Sequence, residues 1–164
     1  MAFRKGIVAV DFDGTIVTHE FPKIGTPIPG ARKTLEILKK RGHQVFLWTM
    51  RGAENVDRID YLTPAVEFLG DLGIDLDGIN DSPAKFSDSP KQHANIYIDD
   101  AALGCPKKLY QVAGNNTTFI AVDWRTVATY LQNAGFITSS DMLEIWQDIE
   151  IQTKTLPTGA TIID

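Results

Sequence analysis

The sequence predicts an α/β sandwich built on a mostly parallel central sheet. Three observations predict it: short apolar runs rich in β-branched residues alternate with stretches of helical periodicity, several of these runs stop abruptly at acids or a hydroxyl, and the connections are long enough for crossovers. Strands buried on both faces read as continuous apolar runs rather than alternating ones. Crossovers between them are right-handed and place helices on the sheet's two faces.

Taken in order, Ile7-Val8-Ala9-Val10 reads as the first strand and ends at a cluster of acids with a glycine. Residues 18 to 30 carry three prolines and two glycines and must be loop. Ala31, Leu35 and Leu38 then recur at helical spacing until Gly42 supplies a stop. Val45-Phe46-Leu47-Trp48 is the second strand, with Trp48 read as core. After a polar turn, Pro64 behind Thr63 marks the start of a helix in which Ala65, Phe68 and Leu69 share a face, closed by Gly73.

Ile96-Tyr97-Ile98 is the third strand and ends in acids, and Thr118-Phe119-Ile120-Ala121-Val122 is the fourth. Asp123 caps a helix with Trp124, Val127 and Leu131 inward and Gly135 at its end. Behind Ser139-Ser140, residues 141 to 152 form an amphipathic helix with Leu143, Trp146 and Ile149 on one side. The tail, residues 153 to 164, docks on the domain or on a second copy. The expected division is therefore residues 1 to 138 as the main domain and residues 139 to 164 as an appended helix and tail.

Composition narrows the function. With 164 residues, 43% of them hydrophobic and 23% charged, the chain suits one globular domain. No apolar run reaches bilayer length and the start lacks a signal-peptide core, so a cytoplasmic protein without membrane partners is expected. Cys105 is the sole cysteine, which excludes an internal disulfide and a multi-thiolate zinc site, and nothing ties it to a histidine as a nucleophile. A formal charge of -5 disfavours nucleic acid as a partner while leaving a local basic patch open.

In a parallel sheet the ligand crevice lies beyond the carboxyl ends of the strands. Asp11 and Asp13, Thr49, and Asp99 with Asp100 each follow directly after an apolar strand, so three separate segments deliver polar groups to one rim. A solvated turn explains any single cluster; it explains the conjunction poorly.

Asp11-Phe12-Asp13-Gly14-Thr15 after an apolar strand resembles the first motif of the haloacid dehalogenase-like (HAD) phosphohydrolases. Thr49 matches their second motif, Lys91 a lysine just upstream of the fourth, and Asp99-Asp100 the fourth itself. The resemblance runs from about residue 7 to residue 135 and implies a HAD-like, Rossmann-like fold with an aspartyl-phosphate mechanism. By position Asp11 becomes the nucleophile and Asp13 the general acid and base. Asp11, Asp99 or Asp100, and the main-chain carbonyl of Asp13 become ligands of a magnesium ion, which accepts an all-oxygen shell. Thr49 and Lys91 would hold the phosphoryl oxygens, with Lys85 as the competing lysine.

Gly14, Thr15 and Arg51 complete the candidate substrate-binding set. Gly14 lets the chain turn, Thr15 fixes the turn, and Arg51 either reaches an anionic group on the substrate or pairs with a surface acid such as Glu54. His19, His43 and His93 share no ligand spacing, and His19 alone lies in the loop facing the site. The chain has no room for a cap domain, so the site should be open and screened only by residues 18 to 30 and 51 to 62. The expected activity is a magnesium-dependent phosphoric monoester hydrolase acting on a phosphorylated small molecule or an exposed phosphate on a macromolecule. A phosphotransferase using the same intermediate and a non-catalytic binding module are the alternatives, and self-association is open.

Overall fold

The computed structural model describes residues 5–83, 88–112, 118–155 and 160–162. Its main sheet has four parallel strands in the order β3-β2-β1-β4: β1 is Ile7–Val10, β2 Gln44–Leu47, β3 Gly78–Ile79 and β4 Ile96–Ile98. Helices α1 (Ala31–Lys40), α2 (Leu62–Asp71), α3 (Trp124–Asn133) and α4 (Ser139–Thr155) flank it to give a three-layer, Rossmann-like arrangement. Helices α1, α3 and α4 pack on one another, while α2 packs apart from them with Phe68 edge-on to Phe12.

The centre of the sheet forms where the sequence is most apolar. Val8 and Val10 of β1 are fully buried, as are Val45 and Leu47 of β2. Register aligns Val10 with Leu47 on one side and with Ile98 on the other. Asp11, whose amide donates to the Ile98 carbonyl, therefore leaves the sheet level with the acids that follow β4. Leu35 and Leu38 of α1, Trp124 and Leu131 of α3, and Ile145 of α4 close the core. Each such side chain contributes roughly 1.5–3 kcal/mol on burial.

Several expectations are corrected. The second strand ends at Leu47, and Trp48 is half-buried at the rim rather than set in the core, although its amide still donates to the Val10 carbonyl. The strand predicted over 118–122 forms as β6 (Thr118–Val122) but leaves the parallel sheet. It pairs antiparallel with an unpredicted strand, β5 (Lys107–Val112), which also pairs antiparallel with β7 (Ala160–Ile162). Among the described residues no helix separates β4 from β6, and a parallel neighbour needs a crossover of that kind. The short tail strand β7 thus pairs within this chain.

Helix α2 starts at Leu62, and its first amides are taken by Asp60, whose Oδ1 accepts from Leu62 and Thr63, so Thr63 is not the cap. Asp123 does cap α3, accepting from the Arg125 amide. At α4 the cap is a reciprocal pair, Thr138 and Asp141, that brackets the two serines. The Thr138 hydroxyl accepts from the Asp141 amide, and the Asp141 carboxylate accepts from the Thr138 amide and from the Arg41 guanidinium at 2.8 Å. This rotates α4 so that Ile145 and Ile149 face inward, and Leu143 lies half exposed.

Candidate functional site

Carboxylate oxygens of Asp11, Asp99 and Asp100 lie within 4.8 Å of one another at the carboxyl rim of the parallel sheet, all three side chains half-buried. Two parallel strands joined in register carry them there, which is why residues 88 positions apart meet. Like charges this close cannot all ionise freely. Burial first, then Asp99 and Asp100, push the Asp11 carboxyl up to about 7, against a lowering contact from the Phe12 amide. Burial and Asp99 likewise raise Asp100, while His19 and Lys107 draw it back down.

Thr15 ties the two halves of this cluster together. Its hydroxyl, fully buried, donates to Asp11 Oδ2 at 3.2 Å and accepts from the Asp100 amide at 3.1 Å. Its carbonyl accepts from the Trp124 indole at 2.8 Å, so α3 braces the motif from below. Gly14 is required twice over. Its φ is +78°, and a Cβ there would stand 2.4 Å from an Asp100 carboxylate oxygen. The side-chain-free position leaves the space that Asp100 fills.

Asp13 sits apart from the three acids. Both of its oxygens accept from Arg51, Nε and Nη2 each at 2.7 Å, in a bidentate pair with Arg51 2% exposed. The remaining Arg51 donors go to the carbonyls of Pro22, Lys23 and Tyr61, so all five N–H groups are used. The guanidinium also lies between the rings of Phe12 and Phe21, at 4.9 and 5.2 Å. The acid that Arg51 pairs with is Asp13 rather than Glu54, and the pair clamps Asp13 to the 18–30 and 51–62 loops. The main-chain carbonyl of Asp13 accepts no bond from a described backbone amide, which leaves it available as an oxygen donor.

Thr49 follows β2 at the rim, where its hydroxyl accepts from the Arg51 amide and its own amide donates to Asn80. Among the described residues Lys91 makes no ion pair with the acids, and its ammonium stands 5.8 Å from the Tyr97 ring centroid. Lys85, its competitor, lies outside the described residues. Gln92, beside Lys91, is buried with neither amide atom bonded. The lysine that does touch the acid segment is Lys107 of β5, donating to the Asp100 carbonyl at 3.0 Å. Cys105 is a half-buried thiol pushed up by burial, as befits filler.

Sequence reading missed Asn80, Trp124 as a brace, and Lys107. Asn80 obeys the same rule that exposed Asp11, a polar residue directly after a strand, but the strand is only Gly78–Ile79. Lys107 belongs to a strand whose exposed Leu109 breaks the expected alternation.

No protein-family model matches the chain, and no curated protein matches it. A solved structure does: a conserved protein from Bacteroides thetaiotaomicron is 30% identical with a TM-score of 0.60, the match covering 85% of this chain and 98% of that one. The chain belongs to the same family as that protein. No described helix is long and apolar enough to cross a membrane.

Proposed function

We propose that the chain is a HAD-like, magnesium-dependent phosphatase that hydrolyses phosphate monoesters through an aspartyl-phosphate on Asp11. The observation that carries this reading is the convergence of the Asp11, Asp99 and Asp100 oxygens within 4.8 Å at the mouth of a parallel sheet. The donor set fits a hard divalent cation: three carboxylates, with no nitrogen or sulfur among them. Bound there, Mg2+ would neutralise the acids and polarise the phosphoryl oxygens.

Asp11 must be ionised to attack phosphorus, and because burial and then Asp99 and Asp100 push its carboxyl up to about 7, a nearby positive charge favours that ionisation. As the P–O bond to the leaving alcohol breaks, that oxygen takes a proton from Asp13. Asp13 later takes a proton from the water that attacks the aspartyl-phosphate, which frees phosphate and restores Asp11. General acid and base action of this kind contributes about 10² to 10⁴-fold. Arg51 occupies one lone pair on each Asp13 oxygen, and a carboxylate offers roughly four such sites, so a site remains for the proton. Thr49 would hold a phosphoryl oxygen. Lys91 holds the cationic post by chain order and Lys107 by contact with the acid segment.

The Arg51–Asp13 pair also favours one alternative, a module that binds cation and phosphate without turnover, because a clamped carboxylate moves a proton less freely. Hydrolysis of p-nitrophenyl phosphate with Mg2+ or EDTA, on wild type and Asp11→Asn, separates them. Metal-dependent release of nitrophenol that disappears in Asp11→Asn is expected; its absence in wild type selects the binding module. Transfer to an added sugar acceptor in place of phosphate release would select a phosphotransferase.

A further inference from the structure

The proton donor fixes the side on which the leaving group departs, and in this molecule that side is aromatic. Asp13 is bonded to Arg51 at 2.7 Å, and the Arg51 guanidinium lies 5.2 Å from the centroid of Phe21, whose ring is half exposed. Phe21 packs edge-to-face on Tyr61 at 5.0 Å. Met50, one residue past Thr49, is almost wholly exposed, and Ile59 of the same loop is half exposed. Exposed apolar side chains beside the two loops that border the rim offer a recognition surface for an apolar group.

We infer that these residues form a leaving-group ledge, and that the substrate is a phosphate monoester whose alcohol carries a planar aromatic ring close to the ester oxygen. This rests on the hydrolase reading. The ledge is held ready by bonds that do not involve substrate. Arg51 bonds the carbonyls of Pro22, Lys23 and Tyr61, and Asn55 bonds those of Gly52 and Ile59. Because every Arg51 N–H is already used, the guanidinium has nothing left with which to recognise a second anionic group on the leaving side. An uncharged ring meets the surface that is present: a half-exposed phenyl ring and the apolar side chains of Met50 and Ile59.

Comparison of 2-phenylethyl phosphate with ethyl phosphate tests this, because the two alcohols have similar leaving ability and differ in the ring. Wild type should prefer the phenylethyl ester by about tenfold or more in kcat/KM, mostly through KM. Phe21→Ala should shrink that ratio by about 3- to 10-fold, Phe21→Trp should retain it, and Leu143→Ala on the distant α4 should not move it. A wild-type ratio near one overturns the inference and leaves the hydrolase reading standing. A Phe21→Ala variant that slows both esters equally also overturns it, since that is the signature of a loosened Arg51–Asp13 pair. Turnover of neither ester by wild type overturns the hydrolase reading and the inference together.

Discussion

Asp11 and Asp13 stand two residues apart in one motif and occupy opposite surroundings. Asp11 is half-buried, faces two further acids, and has its carboxyl pushed up to about 7. Asp13 is half-buried too, yet a buried guanidinium satisfies both of its oxygens. The chain supplies a cation to one aspartate and withholds it from the other. Such divergence between neighbouring carboxyls is how one site assigns different tasks to identical groups. The unpaired cluster is where an external cation gains most, and the paired aspartate is one whose position must not drift.

The largest effect that would break this contrast is on turnover. Asp11→Asn should lower kcat by roughly 10⁴-fold or more, as removal of a nucleophile does, with the fold retained by circular dichroism. Residual activity within tenfold of wild type would remove Asp11 from the chemistry.

Arg51→Ala should be the most damaging to stability. It leaves the half-buried Asp13 without its partner and strips three loop carbonyls of their donors, which costs about 3–5 kcal/mol when one partner of a buried pair is deleted. Chemical denaturation measures it. A loss below 1 kcal/mol would mean that the clamp is replaceable.

The pH response sharpens the other half of the comparison. Between pH 3.8 and about 7 the folded, metal-free chain keeps a proton on Asp11 that the unfolded chain has lost. Stability in EDTA should therefore fall as pH rises through that window and level off above it. Asp11→Asn should flatten this dependence, and Mg2+ at 100 times its dissociation constant should add about 2.7 kcal/mol in wild type. Thermal melts from pH 4 to 8 would show it, and an Asp11→Asn slope equal to that of wild type would contradict it.

Much of this contrast could be read from the chain, and the reasons are local. Central strands announce themselves as Ile-Val-Ala-Val or Val-Phe-Leu, and the acids that end them are visible because a buried run cannot tolerate a charge. Hence the pattern brings Asp11, Asp99 and Asp100 to one rim, where their carboxylate oxygens meet. Two-residue β3 and the polar-flanked β5 carry no such signal, so Asn80 and Lys107 were missed with them. The partner of Arg51 was open because pairing across 38 residues depends on how the loops fold back, and no spacing rule encodes that. The capping of α2 failed for a simpler cause, since Asp60 and Thr63 are both good caps and proline at Pro64 favoured the wrong one.

Smaller effects follow from the bonds around the acids. Lys107→Ala should reduce turnover by about tenfold through loss of the cation bonded to the Asp100 carbonyl, and Lys91→Ala by less, if contact rather than chain order sets the post. The reverse ranking returns the post to Lys91. Thr15→Val should cost about 1 kcal/mol of stability by removing the hydroxyl that joins Asp11 to the Asp100 amide.

Calorimetric titration of Mg2+ into the metal-free protein at pH 7, repeated in two buffers of different ionisation enthalpy, reads the acid cluster most directly. One ion should bind per chain with release of a fraction of a proton, and Asp11→Asn should abolish both the binding and the buffer dependence. Saturable binding that persists unchanged in Asp11→Asn, or no binding to wild type, would contradict a cation site built from Asp11, Asp99 and Asp100.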